Sequence, residues 1–359
     1  SLYLVHWPVL VYYYYYYENL NHYNKFFLII FSLILSSLLF KFVETPFRNN
    51  YFKVKTLYII IIALFLFLSL FFILSERSDG LKSRLSEDNL ILYNDALELP
   101  NLKCDKMDEG LCDHNIKNTK AEFILWGDSH AFLFYDYFYN KYKNQKNSWI
   151  YASCFPVFDI YIPDNFKPNF SKNCLEQNNN LKIFIKQNKV KKILLAANWS
   201  HNILGIEKKL EGVGLTNIFI STVNKKSKNK EEAMLLFNNE FSKTINYLNK
   251  SNIEVFVLKP VPTFNYWVAN KAIKKIQFNH QKLELTRPIT EYYSRNEFVN
   301  NIFDKYAKEK KIKIIDPTDV ICDDINCYAF KNNLIYYSDS NHLTSKGSHK
   351  VSKLFDKIF

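Results

Sequence analysis

Residues Phe123 to His130 read F-I-L-W-G-D-S-H. A short apolar run ends at Gly127, and three polar residues follow directly. The pattern is that of a buried strand, a sharp turn and the start of a helix, here predicted over Ala131–Tyr142. A serine delivered to such a turn has its own N–H and a helix N-terminus beside it, which suits a developing oxyanion. The hydroxyl of Ser129 is a weak nucleophile until a base takes its proton. A base with a carboxylate to orient it lies far downstream, in Asp339-Ser-Asn-His342. The D-x-x-H spacing lets one loop carry both side chains, with the imidazole turned toward Ser129. His130, His201 and His349 are rival bases, but none has an aspartate three residues before it.

Outward from this stretch the chain alternates. Strands are predicted at Glu122–Trp126, Trp149–Ala152, Lys192–Ala197, Glu254–Lys259 and Lys311–Ile315. Helices are predicted at Ala131–Tyr142, Cys174–Asn188, Lys230–Lys250, Tyr293–Lys310 and Ser345–Ile358. Strands alternating with helices imply a parallel sheet covered on both faces. The strands are continuous runs of Ile, Val and Leu, as doubly buried parallel strands should be. In such a sheet, ligands sit at the carboxyl ends of the strands, which is where Ser129 falls.

Residues 1–75 are different in kind. Leu2–Tyr17, Phe26–Phe40 and Leu57–Leu74 are apolar stretches with almost no polar face, and the last runs for 18 residues without a charge. They read as membrane helices in contact with a lipid bilayer. Tyr12–Tyr17 suits a membrane interface. Lys41, Arg48, Lys53 and Lys55 face one acid, Glu44, in the connection before the third stretch. The positive-inside rule puts that connection in the cytoplasm and everything after Leu74 outside. Residue 1 is Ser, so the chain is expected to be a piece of a longer protein. Residues 76–120 are polar and mixed in charge, and read as a linker leading into a disulfide-tied segment.

All six cysteines follow the apolar stretches. An even number in an exported domain suggests disulfides. Zinc would favour a C-x-x-C pair, and none exists. Six cysteines allow 15 pairings; the simplest joins sequence neighbours, Cys104–Cys112, Cys154–Cys174 and Cys322–Cys327. The net charge of +12 raises nucleic-acid binding, but the lysines are scattered through amphipathic segments and no recognised motif accompanies them.

The order of the two motifs, G-D-S at the first strand and D-x-x-H before the last helix, resembles the SGNH hydrolase superfamily. Gly127-Asp-Ser-His-Ala131 is most similar to the version fused to membrane acyltransferases. Ser1-Leu-Tyr-Leu-Val-His-Trp-Pro8 and Val43-Glu-Thr-Pro-Phe-Arg48 resemble the last part of the acyltransferase-3 membrane domain, the family of O-antigen and peptidoglycan O-acetylases. The resemblance implies membrane α-helices (residues 1–75, the C-terminal part of the acyltransferase-3 domain) followed by a flavodoxin-like α/β/α domain over 121–359. It implies Ser129 as nucleophile, His342 as general base and Asp339 as its orienting partner. The Ser129 N–H and Asn198, in Ala196-Ala-Asn-Trp-Ser200, become the oxyanion donors. The superfamily's second block centres on a glycine, and here no glycine lies between Gly127 and Gly205. His6 does not match the first-helix histidine of the membrane domain, and that helix is absent here. The implied activity is O-acyl transfer, acetyl in the first instance, to a hydroxyl of a surface glycan such as lipopolysaccharide O-antigen. It is placed at a bacterial inner membrane, multi-pass, with the catalytic domain in the periplasm. An acyl donor such as acetyl-CoA would be used by the missing membrane part, and no metal or cofactor is expected in the SGNH domain. A carbohydrate esterase with the same triad, and a membrane-anchored glycan-binding module, are the alternatives.

Overall fold

The computed structural model describes residues 1–16, 20–49, 51–98, 106–108, 111–114, 121–142, 148–163, 168–205, 218–277 and 284–359. The chain divides into two units, Ser1–Ile91 with Ile273–Gln281, and Leu92–Ala272 with Lys282–Phe359.

The first unit is helical: α1 (Leu2–Tyr16), α2 (His22–Leu39), α3 (Thr45–Arg48) and α4 (Val54–Arg77). A π-helical turn over Phe40–Glu44 joins α2 to α3 without a break. The basic segment expected as a loop, Lys41–Lys55, is therefore helical as far as Arg48. Pro46 explains the π-turn. Its ring would strike the carbonyl four residues back in a regular helix, and the wider turn makes room. The hydroxyl of Thr45 then donates to the Phe40 carbonyl at 2.8 Å. Among the described residues, His22–Arg48 (mean hydropathy 2.5) and Val54–Arg77 (3.1) are the two helical stretches long and apolar enough to cross a membrane. At 1.5 Å per residue they span roughly 40 and 36 Å, against an apolar layer of about 30 Å. α1, with 15 residues, reaches only about 22 Å. The stretch read as a linker holds α5 (Glu87–Leu97), whose Leu92 and Ala96 are buried.

The second unit is built on a seven-stranded sheet. Its strands are β1 (Lys106–Asp108), β2 (Leu111–His114), β3 (Ala121–Gly127), β4 (Ser148–Ala152), β5 (Lys192–Ala196), β8 (Glu254–Leu258) and β10 (Lys313–Ile315), with a small hairpin, β6 (Ser221–Thr222) and β7 (Lys225–Lys226), between β5 and β8. The order across the sheet is β1-β2-β4-β3-β5-β8-β10. The five predicted strands are the five parallel ones, and β1 and β2 add an antiparallel edge. A second sheet, in the order β12-β11-β9, joins β9 (Leu285–Pro288), β11 (Asn326–Lys331) and β12 (Leu334–Ile335). No local pattern in the sequence signals it.

The helices are α6 (Ser129–Phe132), α7 (Tyr135–Tyr142), α8 (Pro168–Gln187), α9 (Trp199–Leu204), α10 (Lys230–Lys250), α11 (Val268–Gln277), α12 (Ile289–Lys308), α13 (Thr318–Ile321) and α14 (Ser345–Ser352). Two expected helices are shorter than read. Ala131–Tyr142 breaks between α6 and α7, and Ser345–Ile358 ends at Ser352, with turns following.

Alternate residues of the parallel strands face opposite layers. Ile124, Trp126, Ile193, Leu195, Val255 and Val257 form one core with α8, α10 and α12, centred on Trp199, which packs against Phe155, Phe237 and Phe303. On the other face Phe123 meets Phe138 of α7 and Phe359, and Phe138 also meets Phe355. The chain leaves β3 for β4 through α6 and α7 on one face, and crosses to β5 through α8 on the other. The direction of winding therefore reverses between β3 and β5, which is where open α/β sheets form their binding crevice.

Disulfides join Cys154 to Cys174 and Cys322 to Cys327, as sequence proximity suggested. The third expected pair, Cys104–Cys112, includes Cys104, which lies outside the described residues.

Candidate active site

Gly127 ends β3 opposite Ala196 of β5. A Cβ at this position would lie 1.7 Å from the Ala196 carbonyl oxygen and 2.7 Å from the Ala131 Cβ. Only glycine lets the strand exit so close to its neighbour. Asp128 then caps α6, its Oδ1 accepting from the His130 N–H at 2.9 Å. Ser129, exposed, is the first residue of that helix.

The D-x-x-H loop comes from the other end of the chain and is tied down at several points. The Ser338 N–H donates to the His342 carbonyl at 2.9 Å, and Tyr337 bridges Leu343. Phe264 donates from its backbone to the Ser340 carbonyl at 2.7 Å, and Thr344 caps α14. Within the loop, Asp339 Oδ1 accepts from the N–H groups of Asn341 (2.8 Å) and His342 (2.7 Å). Its Oδ2 lies 2.6 Å from His342 Nδ1. A carboxylate can only accept, so Nδ1 carries the ring proton and Nε2 presents its lone pair. That Nε2 lies 2.8 Å from Ser129 Oγ. The structure thus brings Ser129, His342 and Asp339 into one line, across 213 residues of sequence.

The electrostatics follow from burial and pairing. Burial alone would raise the Asp339 pKa, but its bond to His342, the imidazole charge and two backbone donors hold it below the ordinary carboxylate value. Burial alone would lower the His342 pKa, but the bond to Asp339 and its charge, with Asp128 farther off, carry it above the ordinary imidazole value. The pair stabilises the imidazolium that forms when His342 accepts a proton.

Around this line is a second layer of bonds that no sequence pattern signals. Asp128 Oδ2 accepts from the Asn198 N–H at 3.0 Å and from Asn202 Nδ2 at 3.4 Å, tying the exit of β3 to the exit of β5. Burial pushes the Asp128 carboxyl up to about 6, against these bonds. Asn198, half-buried, makes no capping bond with its side chain among the described residues. His130 is buried, and its Nε2 donates to Asn341 Oδ1 at 3.2 Å. Burial, then the nearby His342, drive its pKa down to about 3, so it stays neutral. Its ring packs 5.1 Å from that of His342. His130 therefore braces the D-x-x-H loop and is not bonded to Ser129. His201, on α9, and His349, on α14, are exposed, and neither bonds Ser129. The place of Asp128 between strand and helix marks it as a turn or helix-cap residue, and it does cap α6. Nothing local could reveal that its carboxylate reaches β5.

A sequence-family profile described as "SGNH domain (fused to AT3 domains)" matches residues 100–357. Comparison with curated protein sequences returns no match. Among solved structures, the chain is similar to the periplasmic domain of a lipopolysaccharide acetyltransferase from Salmonella ser. Paratyphi A, at 16% identity and TM-score 0.47, over 77% of this chain and 98% of that one. It is also similar to an acylhydrolase structure from Bacteroides fragilis, at 14% identity and TM-score 0.34 over 76% and 97% of the two chains. A GDSL-like lipase from Bacteroides thetaiotaomicron shows 11% identity and TM-score 0.31 over 66% and 88%. The profile covers well over half of the chain and takes in both motifs of the candidate site, and the chain belongs to the family of SGNH domains fused to AT3 domains.

Proposed function

We propose that this chain is an O-acyltransferase that places an acyl group, acetyl in the first instance, on a hydroxyl of a cell-surface glycan. The observation that carries this is the bonded line from Ser129 Oγ through His342 to Asp339. Ser129 Oγ attacks the acyl carbonyl carbon while His342 Nε2 takes its proton. The electron pair displaced onto the carbonyl oxygen is held by the Ser129 N–H and the Asn198 side chain. When the pair returns, the donor's leaving group departs with the proton from His342. In the second half, His342 removes the proton of the sugar hydroxyl, that oxygen attacks acyl-Ser129, and the serine is restored. The cycle closes with a serine, a histidine, a carboxylate and N–H donors.

Transfer is favoured over hydrolysis by the company the domain keeps. The family is one fused to acyltransferase-3 domains, and the two membrane-length helices precede the SGNH unit in this chain. In this reading they cross a bacterial inner membrane, and the basic connection containing Arg48, Lys53 and Lys55 lies in the cytoplasm. The SGNH unit faces the periplasm, where its disulfides persist. The acyl group arrives from a donor such as acetyl-CoA by way of the membrane part. Ser129 is exposed, so water competes for acyl-Ser129 and slow ester hydrolysis accompanies transfer.

The test is glycan acylation in cells that carry the full-length protein with Ser129→Ala. Loss of acylation, with the protein still in the membrane, is expected. Acylation at the normal rate would mean that the SGNH unit only binds or positions the acceptor.

A further inference from the structure

A cleft of about 510 Å³ lies between α7 and α14, and no triad residue lines it. Its volume falls in the range of about 300–1,000 Å³ usual for small-molecule sites. The segment after Ser129 supplies one wall, from Leu133 to Lys141, and the segment after His342 supplies the other, from Ser345 to Asp356. Leu133 is four residues beyond Ser129, about 6 Å along a helix. Ser345 is three beyond His342, at most about 11 Å of chain. Ser129 Oγ and His342 Nε2 are themselves 2.8 Å apart, so both walls start from the catalytic pair. At the other end Tyr137 Oη donates to Asp356 Oδ1 at 2.7 Å, and Lys141 Nζ lies 3.8 Å from the same oxygen.

Ser348 lines this cleft and is only 5% exposed. Its Oγ has no hydrogen-bond partner among the described residues. Ser352, one turn on along the same wall, shows the ordinary alternative, its Oγ donating to the Ser348 carbonyl at 2.8 Å. A buried hydroxyl without a partner is destabilising, and at a cavity wall a ligand can supply the partner. The lining also offers the carboxylates of Asp136 and Asp356, the amide of Asn140, the imidazole of His349 and the ring of Tyr137. A sugar hydroxyl both donates and accepts, and a C–H face of the sugar suits an aromatic ring. An anion is disfavoured, because the two carboxylates face one ammonium, Lys141, already paired with Asp356. Nor is this a metal site: among the described residues no three His, Cys, Asp or Glu are grouped to hold an ion.

We propose that the cleft between α7 and α14 is a subsite for an uncharged sugar unit of the acceptor glycan, close along the chain to the unit that receives the acyl group. The inference rests on the reading of Ser129 as the nucleophile of a glycan O-acyltransferase. To that reading it adds a place for the acceptor and a chemical class, an oligosaccharide with a neutral unit near the acylated one. Ser348 Oγ bonds one hydroxyl of that unit. Asn140 and His349, both exposed, bond others. The short stretches of chain from Ser129 and His342 to the cleft keep the subsite within reach of a short oligosaccharide.

The unpartnered hydroxyl gives the test. The full chain in detergent is titrated, by ligand-observed NMR, with the methyl glycosides of glucose, galactose, mannose and rhamnose, and with methyl galacturonoside. At least one neutral glycoside should bind, and the uronate should bind more weakly. Ser348→Ala should raise the Kd of the neutral glycoside by roughly 2- to 12-fold, as for one lost hydrogen bond, while Tm does not fall, since no bond within the protein is lost. A serine with a merely structural role would move Tm and leave Kd alone. If Ser348→Ala does not fold, Asn140→Ala with His349→Ala, two exposed positions, should raise the same Kd. In cells, full-length protein with these substitutions should acylate glycan more slowly while remaining in the membrane. The proposal is overturned if no glycoside binds, if the uronate binds as tightly, or if Kd is the same in every version. Glycan acylation at the normal rate by a variant with weakened binding also overturns it. Failure of the underlying reading looks different: cleavage of an activated acetyl ester would then survive Ser129→Ala, whatever the glycosides do.

Discussion

Replacing Gly127 with alanine should damage stability and turnover together, and the size of the damage follows from the contact at the end of β3. The new Cβ would sit 1.7 Å from the Ala196 carbonyl oxygen, a backbone atom that cannot rotate away. An ordinary carbon–oxygen contact is about 3.3 Å, so β3 and β5 must part locally by about 1.6 Å. Ala131 blocks the opposite direction at 2.7 Å. Overpacking of this kind costs about 1–3 kcal/mol, and losing the last ladder bond adds about 1 kcal/mol. The sum, roughly 2–4 kcal/mol, corresponds to a fall in Tm of roughly 5–15 °C for a unit of this size. Ser129 lies two residues beyond the wedge and Asn198 two beyond the carbonyl it strikes. The two groups separate by a distance of the same order, and a misplacement of about 1 Å costs about 100-fold in rate. Ester hydrolysis and thermal denaturation on the same preparation measure both. An alanine variant with unchanged Tm and turnover would mean that the strand exit is slack, and the account of how Ser129 is placed would be wrong.

The other expectations are shorter. His342 must be neutral to act as base, so activity should rise with pH through its raised pKa; in Asp339→Asn the bond and charge are gone, burial remains, and the acid limb of the kcat/KM profile should move to lower pH while kcat falls by up to about 10⁴-fold. An acid limb that stays in place would remove Asp339 from its assigned role. Asn198→Ala should lower kcat by about 100- to 1000-fold with the fold intact, and near-normal turnover would leave Asn198 as a turn residue. Asp128, raised by burial to about 6 from an ordinary value near 3.9, binds its proton more readily folded than unfolded. Its contribution to stability is therefore fully present below about pH 4 and is lost as the pH rises through about 6. Tm measured between pH 4 and 7 should show this component in the wild type, and Asp128→Asn should remove it.

The parallel sheet was legible because its strands are doubly buried, and a run such as Lys192–Ala196 has no other use for so many branched apolar residues. The membrane-length helices were legible for the same reason of length and apolarity. The second sheet was not. Leu285–Pro288 and Asn326–Lys331 are short and mixed in polarity, and they pair with each other at a distance in sequence that no local pattern signals. The π-turn at Phe40–Glu44 was missed because Pro46 reads locally as a helix end, whereas a neighbouring turn can absorb it. At the site, Ser129, Asp339 and His342 were legible from the chemistry of their types and spacing. The brace of His130 on Asn341 spans 211 residues, and the reach of Asp128 to Asn198 spans 70. Such bonds exist only once the strands have registered.

The distance along the chain between Ser129 and His342 also sets a clock. In the proposed reading the base, His342, is synthesised 213 residues after the nucleophile, Ser129, a delay of roughly 10–40 s at ordinary elongation rates. Until α14 and the residues before it arrive, Ser129 is an ordinary alcohol, unable to attack whatever esters a half-made chain encounters. A ribosome that stalls, or a protease that cuts, before Asp339 would then leave a silent molecule instead of an unregulated one. In that reading birth order acts as a safety catch, released only when His342 and α14 are in place.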